Sequence, residues 1–422
     1  MFINELARDI IKNGRHGIQL LPDMLELFIL LFADDIVLLS DTIVGLQNQL
    51  DVLARNCARL DLHVNLDKSN IVIFRNGGYI AKREKWFYNG QNITIVNSYK
   101  YLGLFLTTRM TFSNALNEMA NKARKGVTDI FRTLWRLGDF SAPIFFKMFD
   151  AQIKPMLLYG SEIWGLKEYK SVEKVHTFAL KKLLNVSPRT PNDMAYGETG
   201  RFPLYVHSYT ACIKYWLRLT TMDNSRLPRK AYNMLLLLHN SGKFCWVSQV
   251  HQVLYKFGFG FVWENQGVQN PETFIKAFKQ RLIDCHSQNW HEHISNSTRF
   301  TIYRMFKISI SLEPYFTSVT NKHIRDVLIR FRIGASNMRT HKLRYVAHTP
   351  GDLMCPLCNT AYEDEMHTLF YCKFLDDLRQ KYIPRKYTVQ PSYATLRRMM
   401  QDKSCLHDLG RFIYHSNKRR EV

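Results

Sequence analysis

Two adjacent aspartates interrupt the most apolar part of the sequence. Asp34 and Asp35 stand between an apolar segment at residues 27–33 and a second one at residues 36–39. Because both segments are rich in β-prone residues, the pattern predicts two strands joined by a tight turn that carries both carboxylates. Two like charges beside a core are costly unless a cation compensates them, and Mg²⁺ bound to substrate phosphates suits such oxygen ligands. The other interpretation is a solvated turn, in which each aspartate bonds to nearby backbone.

The length of 422 residues allows two or three domains, and 46% hydrophobic against 22% charged residues favours folded ones. The formal net charge of +22 predicts a polyanionic partner, with nucleic acid as the first candidate. Genome bias in composition, or a surface for anionic membranes, is the alternative. No segment is long and apolar enough to span a bilayer, and the first residues do not resemble a signal peptide. We therefore expect an intracellular protein with no membrane partner.

Three of the eight cysteines cluster with a histidine near the C-terminus. Cys355, Cys358, His367 and Cys372 have the spacing C-x2-C-x8-H-x4-C, which is typical of a tetrahedral zinc site. Four protein ligands leave no open coordination position, so the Zn²⁺ is expected to be structural. Chance clustering is the alternative. A rigid metal-stapled module in a basic chain commonly presents a surface to nucleic acid, although it can equally bind protein.

Hydrophobic spacing predicts an α+β beginning followed by helices. A helix is predicted over residues 43–60, after N-cap residues at 40–42, because its apolar side chains recur every three or four positions. Short strands are predicted at 62–65 and 71–74, and a further hairpin at 93–96 and 99–106. Further helices are expected over residues 113–134, from 141, and over 172–184, 205–221, 274–290 and 323–332.

Several motifs occur in an order that resembles one family of polymerases. They are Phe32-Ala33-Asp34-Asp35, then residues 65–69, Tyr99-Lys100-Tyr101-Leu102-Gly103, residues 158–165, and the cysteine cluster. Together they resemble the C-terminal part of a non-LTR (LINE-type) retrotransposon reverse transcriptase, over residues 1 to about 380. A group II intron maturase also has an aspartate-pair hairpin, but residues 158–165 and the terminal cysteine pattern disfavour it.

The resemblance implies an order of domains. Residues 1–108 would be the C-terminal portion of the palm, with antiparallel hairpins and a helix, and 109–225 a helical thumb that follows the template–primer duplex. Residues 226–335 would be a helical C-terminal region, 336–385 a CCHC zinc knuckle and 386–422 a basic tail. The function implied is magnesium-dependent, RNA-directed DNA polymerisation. The partners implied are an RNA template, a DNA target or primer and deoxynucleotides. The location implied is the nucleus.

The resemblance also implies roles for individual residues. Asp34 and Asp35 would bind Mg²⁺ as catalytic carboxylates. Lys68 would help to protonate pyrophosphate or position the incoming nucleotide. Tyr101, Leu102 and Gly103 match the turn that grips the primer 3′ end.

One departure from the family concerns a third carboxylate, which such polymerases take from an earlier palm strand. The first thirty residues contain only four acidic side chains, at Glu5, Asp9, Asp23 and Glu26. The first six residues resemble the short helix before the catalytic hairpin, so we expect the chain to begin after the first catalytic motif and to lack the fingers. The isolated polypeptide should then be inactive in DNA synthesis, with an exposed sheet edge and poor solubility. The alternative function is a non-enzymatic nucleic-acid-binding protein. The oligomeric state stays open.

Overall fold

The computed structural model describes residues 2–14, 16–21, 25–75, 77–138, 141–344 and 346–420. Contacts between Cα atoms divide the chain into two units. Unit 1 consists of Met1–Glu118, Gly160–Lys167 and Tyr209–Ile275. Unit 2 consists of Met119–Tyr159, Glu168–Ser208 and Lys276–Val422.

All strands in the described part of the chain lie in unit 1. They are β1 (Ile18–Leu21), β2 (Leu25–Leu27), β3 (Ile29–Phe32), β4 (Asp35–Leu38), β5 (Asn70–Ile71), β6 (Phe87–Tyr88), β7 (Gln91–Asn92), β8 (Thr94–Ile95), β9 (Ser98–Tyr101) and β10 (Leu104–Thr107). The antiparallel pairs are β1 with β2, β3 with β4, β6 with β7 and β9 with β10, whereas β5 and β8 are parallel. Each sheet has two strands, so β3 and β4 bond only to each other among the described residues.

Helices make up most of the remainder. They are α1 (Phe2–Asn13), α2 (Ile43–Arg59), α3 (Ser113–Arg136), α4 (Ala142–Met148), α5 (Lys154–Leu157), α6 (Ser161–Trp164), α7 (Lys170–Leu183), α8 (Asn192–Thr199), α9 (Tyr205–Thr220), α10 (Leu227–Asn240), α11 (Trp246–Lys256), α12 (Gly260–Glu264), α13 (Pro271–Asn296), α14 (Tyr303–Phe306), α15 (Tyr315–Ser318), α16 (Lys322–Arg332), α17 (Arg339–Lys342), α18 (Asp376–Tyr382), α19 (Arg385–Thr388), α20 (Tyr393–Gln401) and α21 (Leu406–Arg420). Phe149–Ile153 and His367–Tyr371 are π-helical turns, and Thr298–Phe300, Pro350–Leu353 and Lys373–Leu375 are 3₁₀ turns. None of the described helices has the length and hydrophobicity needed to cross a membrane.

The core that supports the β3–β4 hairpin comes from two helices. The apolar face of α1 packs against α2 and β3 and buries Leu6 and Ile10 completely. Thr42 caps α2, because its hydroxyl oxygen accepts the Gly45 N–H at 3.0 Å. The same core includes Leu53 of α2 and Ile29 of β3. Burial of these side chains anchors one face of the hairpin on the helices.

The predicted α+β beginning and helical continuation are confirmed, and α2 matches the predicted helix closely. Two strand predictions are wrong. Residues 62–65 form no strand, and the predicted pairing of 93–96 with 99–106 is replaced by two other pairs. Strand β8 pairs with β5, and β9 turns back on β10. Strand propensity indicates that a segment extends, but it does not select the partner.

Unit 2 is built around buried aromatic side chains and one buried charge network. Its largest fully buried side chains include Phe145, Phe149, Phe278, Trp290, Tyr303, Tyr315, Phe331 and Phe412. Arg332 of α16 donates to Glu198 at 3.2 Å and to Glu313 at 2.6 Å, and Lys307 also pairs with Glu313. Helix α21 packs closely on α16 at Gly410, where a Cβ would lie 2.6 Å from the Ile324 side chain. The domain limits predicted above stay predictions.

Candidate catalytic hairpin and metal centre

The β3–β4 hairpin places both aspartates at its tip. Its register pairs Ile29 with Leu38 and Phe32 with Asp35, so Ala33 and Asp34 form a two-residue turn. Ala33 has a φ of 53°, a left-handed conformation that costs an alanine about 1–2 kcal/mol. Asp34 and Asp35 are exposed, as is 59% of the Phe32 side chain. Two carboxylates are therefore accessible to a cation on a turn held by paired strands.

The second predicted element, the β9–β10 turn, lies near this tip. Tyr101 pairs with Leu104, and the turn between them has positive φ at Leu102 (45°) and Gly103 (88°). Two positive φ angles in sequence match the twist of a hairpin, and glycine at the second position is the residue such a turn favours. Burial raises the pKa of Tyr101, and the Asp35 carboxylate raises it further. The structure therefore brings the predicted primer-binding turn within electrostatic reach of the predicted metal ligand.

Lys68 lies in a turn that is bonded to the same strand. Its N–H donates to the Asn65 carbonyl at 3.3 Å, and its own carbonyl accepts the Tyr99 hydroxyl at 3.2 Å. Tyr99 is two residues before Tyr101 in β9, and the Lys68 side chain is exposed. The backbone of Lys68 is thus fixed relative to the strand that ends at the candidate primer-binding turn.

Among the described residues, no third carboxylate joins the hairpin aspartates. Within the described ranges, the only group of three or more potential metal-binding side chains is the cysteine and histidine cluster. Asp34 and Asp35 therefore offer a cation two carboxylates in this part of the chain. A two-ion site for nucleotidyl transfer needs more ligands than these.

The cysteine cluster converges as its spacing predicts. The ligand atoms of Cys355, Cys358, His367 and Cys372 all lie within 4.8 Å of one another. Cys355 Sγ is 3.9 Å from Cys372 Sγ, and Cys358 Sγ is 3.3 Å from His367 Nε2. Tetrahedral zinc with bonds of about 2.3 Å to sulfur places two sulfurs about 3.8 Å apart. The donor set and its spacing both fit one Zn²⁺.

Neighbouring groups hold these ligands in place. The Thr360 hydroxyl donates to Cys358 Sγ at 3.1 Å, and the Asp364 carboxylate accepts the His367 N–H at 2.7 Å. Burial acts to raise the pKa of Cys358, but hydrogen bonds with Thr360, and then with Cys355 and Cys372, together outweigh burial and the pKa is lowered. Burial, and then the charge of Cys355, raise the pKa of Cys372 to about 12. A closed set of three thiols and an imidazole suits a structural metal, which would hold the thiols deprotonated.

A cationic surface formed by α3 and α7 was not predicted from the sequence. The Arg124 guanidinium lies 4.3 Å from the centre of the Phe178 ring, and the Lys182 amine lies 5.6 Å from the same centre. Burial lowers the pKa of Lys182, and the charges of Arg132 and Arg124 lower it further. We call Arg124, Arg132, Phe178 and Lys182 the α3–α7 surface. The charges in α3 are visible in the sequence, but their proximity to α7 is a tertiary feature.

Comparison with known proteins identifies related sequences. Residues 1–106 match the family described as "Reverse transcriptase (RNA-dependent DNA polymerase)". The chain is 26% identical over 168 residues to the RNA-directed DNA polymerase from mobile element jockey of Drosophila funebris, a match that covers 38% of this chain and 18% of that relative. The corresponding protein of Drosophila melanogaster is 25% identical over 171 residues, again covering 38% and 18%. The chain thus spans about a fifth of the length of these curated relatives. These matches confirm the resemblance predicted from the motifs.

Proposed function

We propose that this chain, which is related to the reverse transcriptases of non-LTR retrotransposons, contributes a metal-binding hairpin and nucleic-acid-binding surfaces to an RNA-directed DNA polymerase. The observation that carries the proposal is a pair of exposed aspartates on one hairpin tip, of which Asp35 interacts electrostatically with Tyr101 beside the β9–β10 turn. The Asp35 carboxylate raises the pKa of Tyr101, and this supports assigning the two turns to one site. In the reaction a primer 3′-hydroxyl loses its proton and attacks the α-phosphate of a deoxynucleoside triphosphate, which forms a phosphodiester bond, breaks the bond between the α- and β-phosphates and releases pyrophosphate.

In this proposal each predicted residue has one task. Asp34 and Asp35 bind Mg²⁺, which supplies the positive charge that activates the hydroxyl and stabilises charge on the phosphate. Tyr101, Leu102 and Gly103 position the primer end beside these carboxylates. Lys68, exposed in its turn, donates a proton to pyrophosphate or positions the incoming nucleotide.

The remaining surfaces serve template and target in this proposal. The α3–α7 surface binds the phosphates of the template–primer duplex, because clustered cations that repel each other gain most from a polyanion. The segment around Cys355, Cys358, His367 and Cys372, which we call the zinc module, holds RNA or target DNA, and its metal is structural. A protein with these tasks acts where its target DNA is, in the nucleus.

Iron-mediated cleavage tests the metal site directly. Fe²⁺ occupies Mg²⁺ sites and, with ascorbate and peroxide, cuts the backbone near where it is bound. With zinc retained at the cysteines, we expect cuts near residues 34–35 and 101–103 that excess Mg²⁺ suppresses. The double variant Asp34→Asn/Asp35→Asn should lose them, whereas Asp41→Asn/Asp61→Asn, which changes two other exposed aspartates, should keep them. Cuts that are absent, or that persist in the first variant, would refute the magnesium assignment.

We further propose that the 422-residue polypeptide alone does not synthesise DNA, since no third ligand joins Asp34 and Asp35 among the described residues. The test is incorporation of dTTP by purified protein on poly(rA)/oligo(dT) with Mg²⁺. We expect no incorporation above that of an Asp34→Ala variant. Template-directed incorporation that this variant abolishes would show that the chain completes its own site.

A non-enzymatic nucleic-acid-binding protein is the second candidate. The α3–α7 surface and the net charge of +22 favour this candidate, because both features support nucleic-acid binding without requiring a catalytic site. The two functions differ in their response to substrate. A polymerase site should bind primer–template more tightly when Mg²⁺ and the matching deoxynucleotide are added, and Asp34→Asn/Asp35→Asn should remove that gain. A binding protein should show no gain in either form.

A further inference from the structure

A cleft opens beside the zinc module in unit 2. It lies between α17, the segment at residues 347–348, Pro356 of the cysteine loop and the last turn of α21, and its volume is about 560 Å³. The polar side chains that matter for its chemistry are Arg339, Lys342, His348, Asn417 and Arg420. None of these five residues belongs to the metal ligands or to the candidate catalytic hairpin.

The acidic side chains of the cleft already have partners. Glu363 is 1% exposed, forms an ion pair with Arg420 Nε at 2.6 Å and accepts the Arg339 N–H at 2.7 Å. Asp352 accepts the N–H and the hydroxyl of Thr349, both at 2.8 Å. The ion pair with Arg420 neutralises the charge of Glu363, whereas Asp352 is exposed and keeps its negative charge.

Two cations of the cleft form no ion pair in the described part of the chain, although, after the Thr349 hydrogen bonds, the charge of Arg339 helps to lower the pKa of Asp352. Among the residues that the structure describes, neither Lys342 nor the guanidinium of Arg339 forms an ion pair. The Arg339 guanidinium has one long contact, 3.5 Å to the Asp352 carbonyl. The cleft lining has three cationic side chains, Arg339, Lys342 and Arg420, and two acidic ones, Asp352 and Glu363, and this excess of positive charge favours an anionic ligand.

Other groups of the cleft suit a nucleobase. Arg420 donates to the Asn417 side-chain oxygen at 2.8 Å, which leaves the amide NH₂ of Asn417 as a hydrogen-bond donor. The imidazole of His348 is exposed and can stack on a base. An acidic peptide would use the cations but would not require a stacking ring or an amide donor.

We propose that this cleft binds an unpaired segment of RNA or DNA, with phosphates at Arg339 and Lys342 and a base at Asn417 and His348. The inference rests on the proposed nucleic-acid function. It adds that the region beside the zinc module binds single strands. The volume is that of a pocket for a single small ligand. It therefore admits nucleotides of a flexible strand, whereas a double helix keeps its bases paired inside a wide, rigid cylinder.

The test compares two variants of the full, zinc-loaded chain that lose the same charge. Arg339→Gln/Lys342→Gln alters the cleft and keeps the backbone N–H that Glu363 accepts. Arg397→Gln/Lys403→Gln alters two exposed cations elsewhere in unit 2. The probe is a fluorescein-labelled, unstructured 12-nucleotide RNA, and anisotropy gives its affinity. Zinc content and circular dichroism establish that each variant is folded.

We expect the cleft variant to bind the RNA at least fivefold more weakly and the control variant less than twofold more weakly. Because two phosphate contacts are lost, the slope of log K against log salt should fall by about 1.4 in the cleft variant. The cleft variant should bind a fully paired RNA of the same length with less than twofold change. Asn417→Ala should weaken single-strand binding further without changing the salt slope.

Each of the following results would overturn the inference. Equal losses in both double variants would mean a general charge effect. Equal losses for paired and unpaired RNA would remove the strand preference. If a 12-residue glutamate peptide binds as tightly as the RNA, and the cleft variant loses this binding, the cleft would be a protein-binding site. Wild-type protein that binds no nucleic acid would refute the proposed function as well, whereas normal binding by the cleft variant would refute this inference alone.

Discussion

At the residue scale, spacing in the sequence was sufficient to predict the cluster of three cysteines and one histidine. Cys355, Cys358, His367 and Cys372 lie close in sequence, so local turns alone bring their donor atoms within 4.8 Å. The proximity of Tyr101 to Asp35 required the fold, because 65 intervening residues must return β9 to the first hairpin. The roles of Asp34, Asp35, Lys68, Tyr101, Leu102 and Gly103 stay predictions.

The first prediction concerns the metal. Purified protein should contain close to one zinc per chain, and Cys358→Ser should lose it, because serine does not replace a thiolate ligand. Loss of the metal should lower the free energy of unfolding of the zinc module by several kcal/mol. Elemental analysis and thermal unfolding measure the two effects. Cys285→Ser is the matched control, since Cys285 lies outside the cluster, and it should keep its zinc. A zinc-free wild type would contradict the assignment.

The second prediction concerns pH. Burial opposes ionisation of Asp150, but Arg201 and Lys154 hold its pKa at about 2, below the ordinary value of 3.8. The ionised form therefore stabilises the fold above pH 4, and this contribution is lost as the pH falls towards 2. Asp150→Asn should lower the free energy of unfolding by about 1–2 kcal/mol at pH 7, with less effect at pH 3.

Urea unfolding at each pH measures this difference. Asp408→Asn is the control, because Asp408 is exposed and its ion pairs are long, 3.6 Å to His407 and 4.0 Å to Arg411. It should change stability by less than about 0.5 kcal/mol. An Asp150→Asn effect of the same size at both pH values would show that the ion pair is not its cause.

At the scale of elements, helices were predicted more accurately than strand pairs. A helix bonds to itself, so the apolar spacing over residues 43–60 contains the information that α2 needs. The strands β5 and β8 have only two residues each, and they pair across more than twenty residues. Local propensity cannot encode such a partner. The β3–β4 hairpin was predictable because its two strands are separated only by its turn.

The third prediction concerns the end of α8. Gly200 has a φ of 66°, and a Cβ there would lie 2.4 Å from the Leu312 backbone nitrogen. Gly200→Ala should therefore cost about 3 kcal/mol, from the left-handed conformation together with the backbone clash. Gly242→Ala is the matched control, with a φ of 82° and no atom within 4 Å, and should cost only about 1 kcal/mol. Chemical denaturation measures both, and equal costs would mean that the Leu312 contact is relieved without penalty.

At the scale of the whole molecule, the charge of +22 predicts a class of partner but not a surface. The structure groups some of these charges on the α3–α7 surface and others in the cleft beside the zinc module. Each surface lies within unit 2, so each can be tested by itself. The described strands belong to unit 1, together with the candidate catalytic hairpin.

The fourth prediction concerns duplex binding. Affinity for a DNA duplex should fall steeply with salt, because bound cations release counterions. Arg124→Gln/Arg132→Gln/Lys182→Gln should weaken binding and reduce the slope of log K against log salt by about 2–3. Fluorescence anisotropy measures this slope over salt concentrations of about 50 to 300 mM. Lys276→Gln/Lys279→Gln/Arg281→Gln in α13 removes the same charge and should change the slope by less than about 1. Equal effects would mean that net charge alone determines binding.

The sequence by itself determined the aspartate turn, the main helices, the cysteine and histidine cluster and the related family, because each is encoded in short or ordered patterns. Only the tertiary structure decided which strands pair and that the Asp35 charge acts on Tyr101. It also decided that cations of α3 and α7 lie near the Phe178 ring and that a cleft lies between α17 and α21. These features join residues that are distant in sequence. Their energies depend on burial and on separations in space, which no local pattern specifies. The two aspartates are encoded locally, and the surroundings that would give them a function are set by the fold.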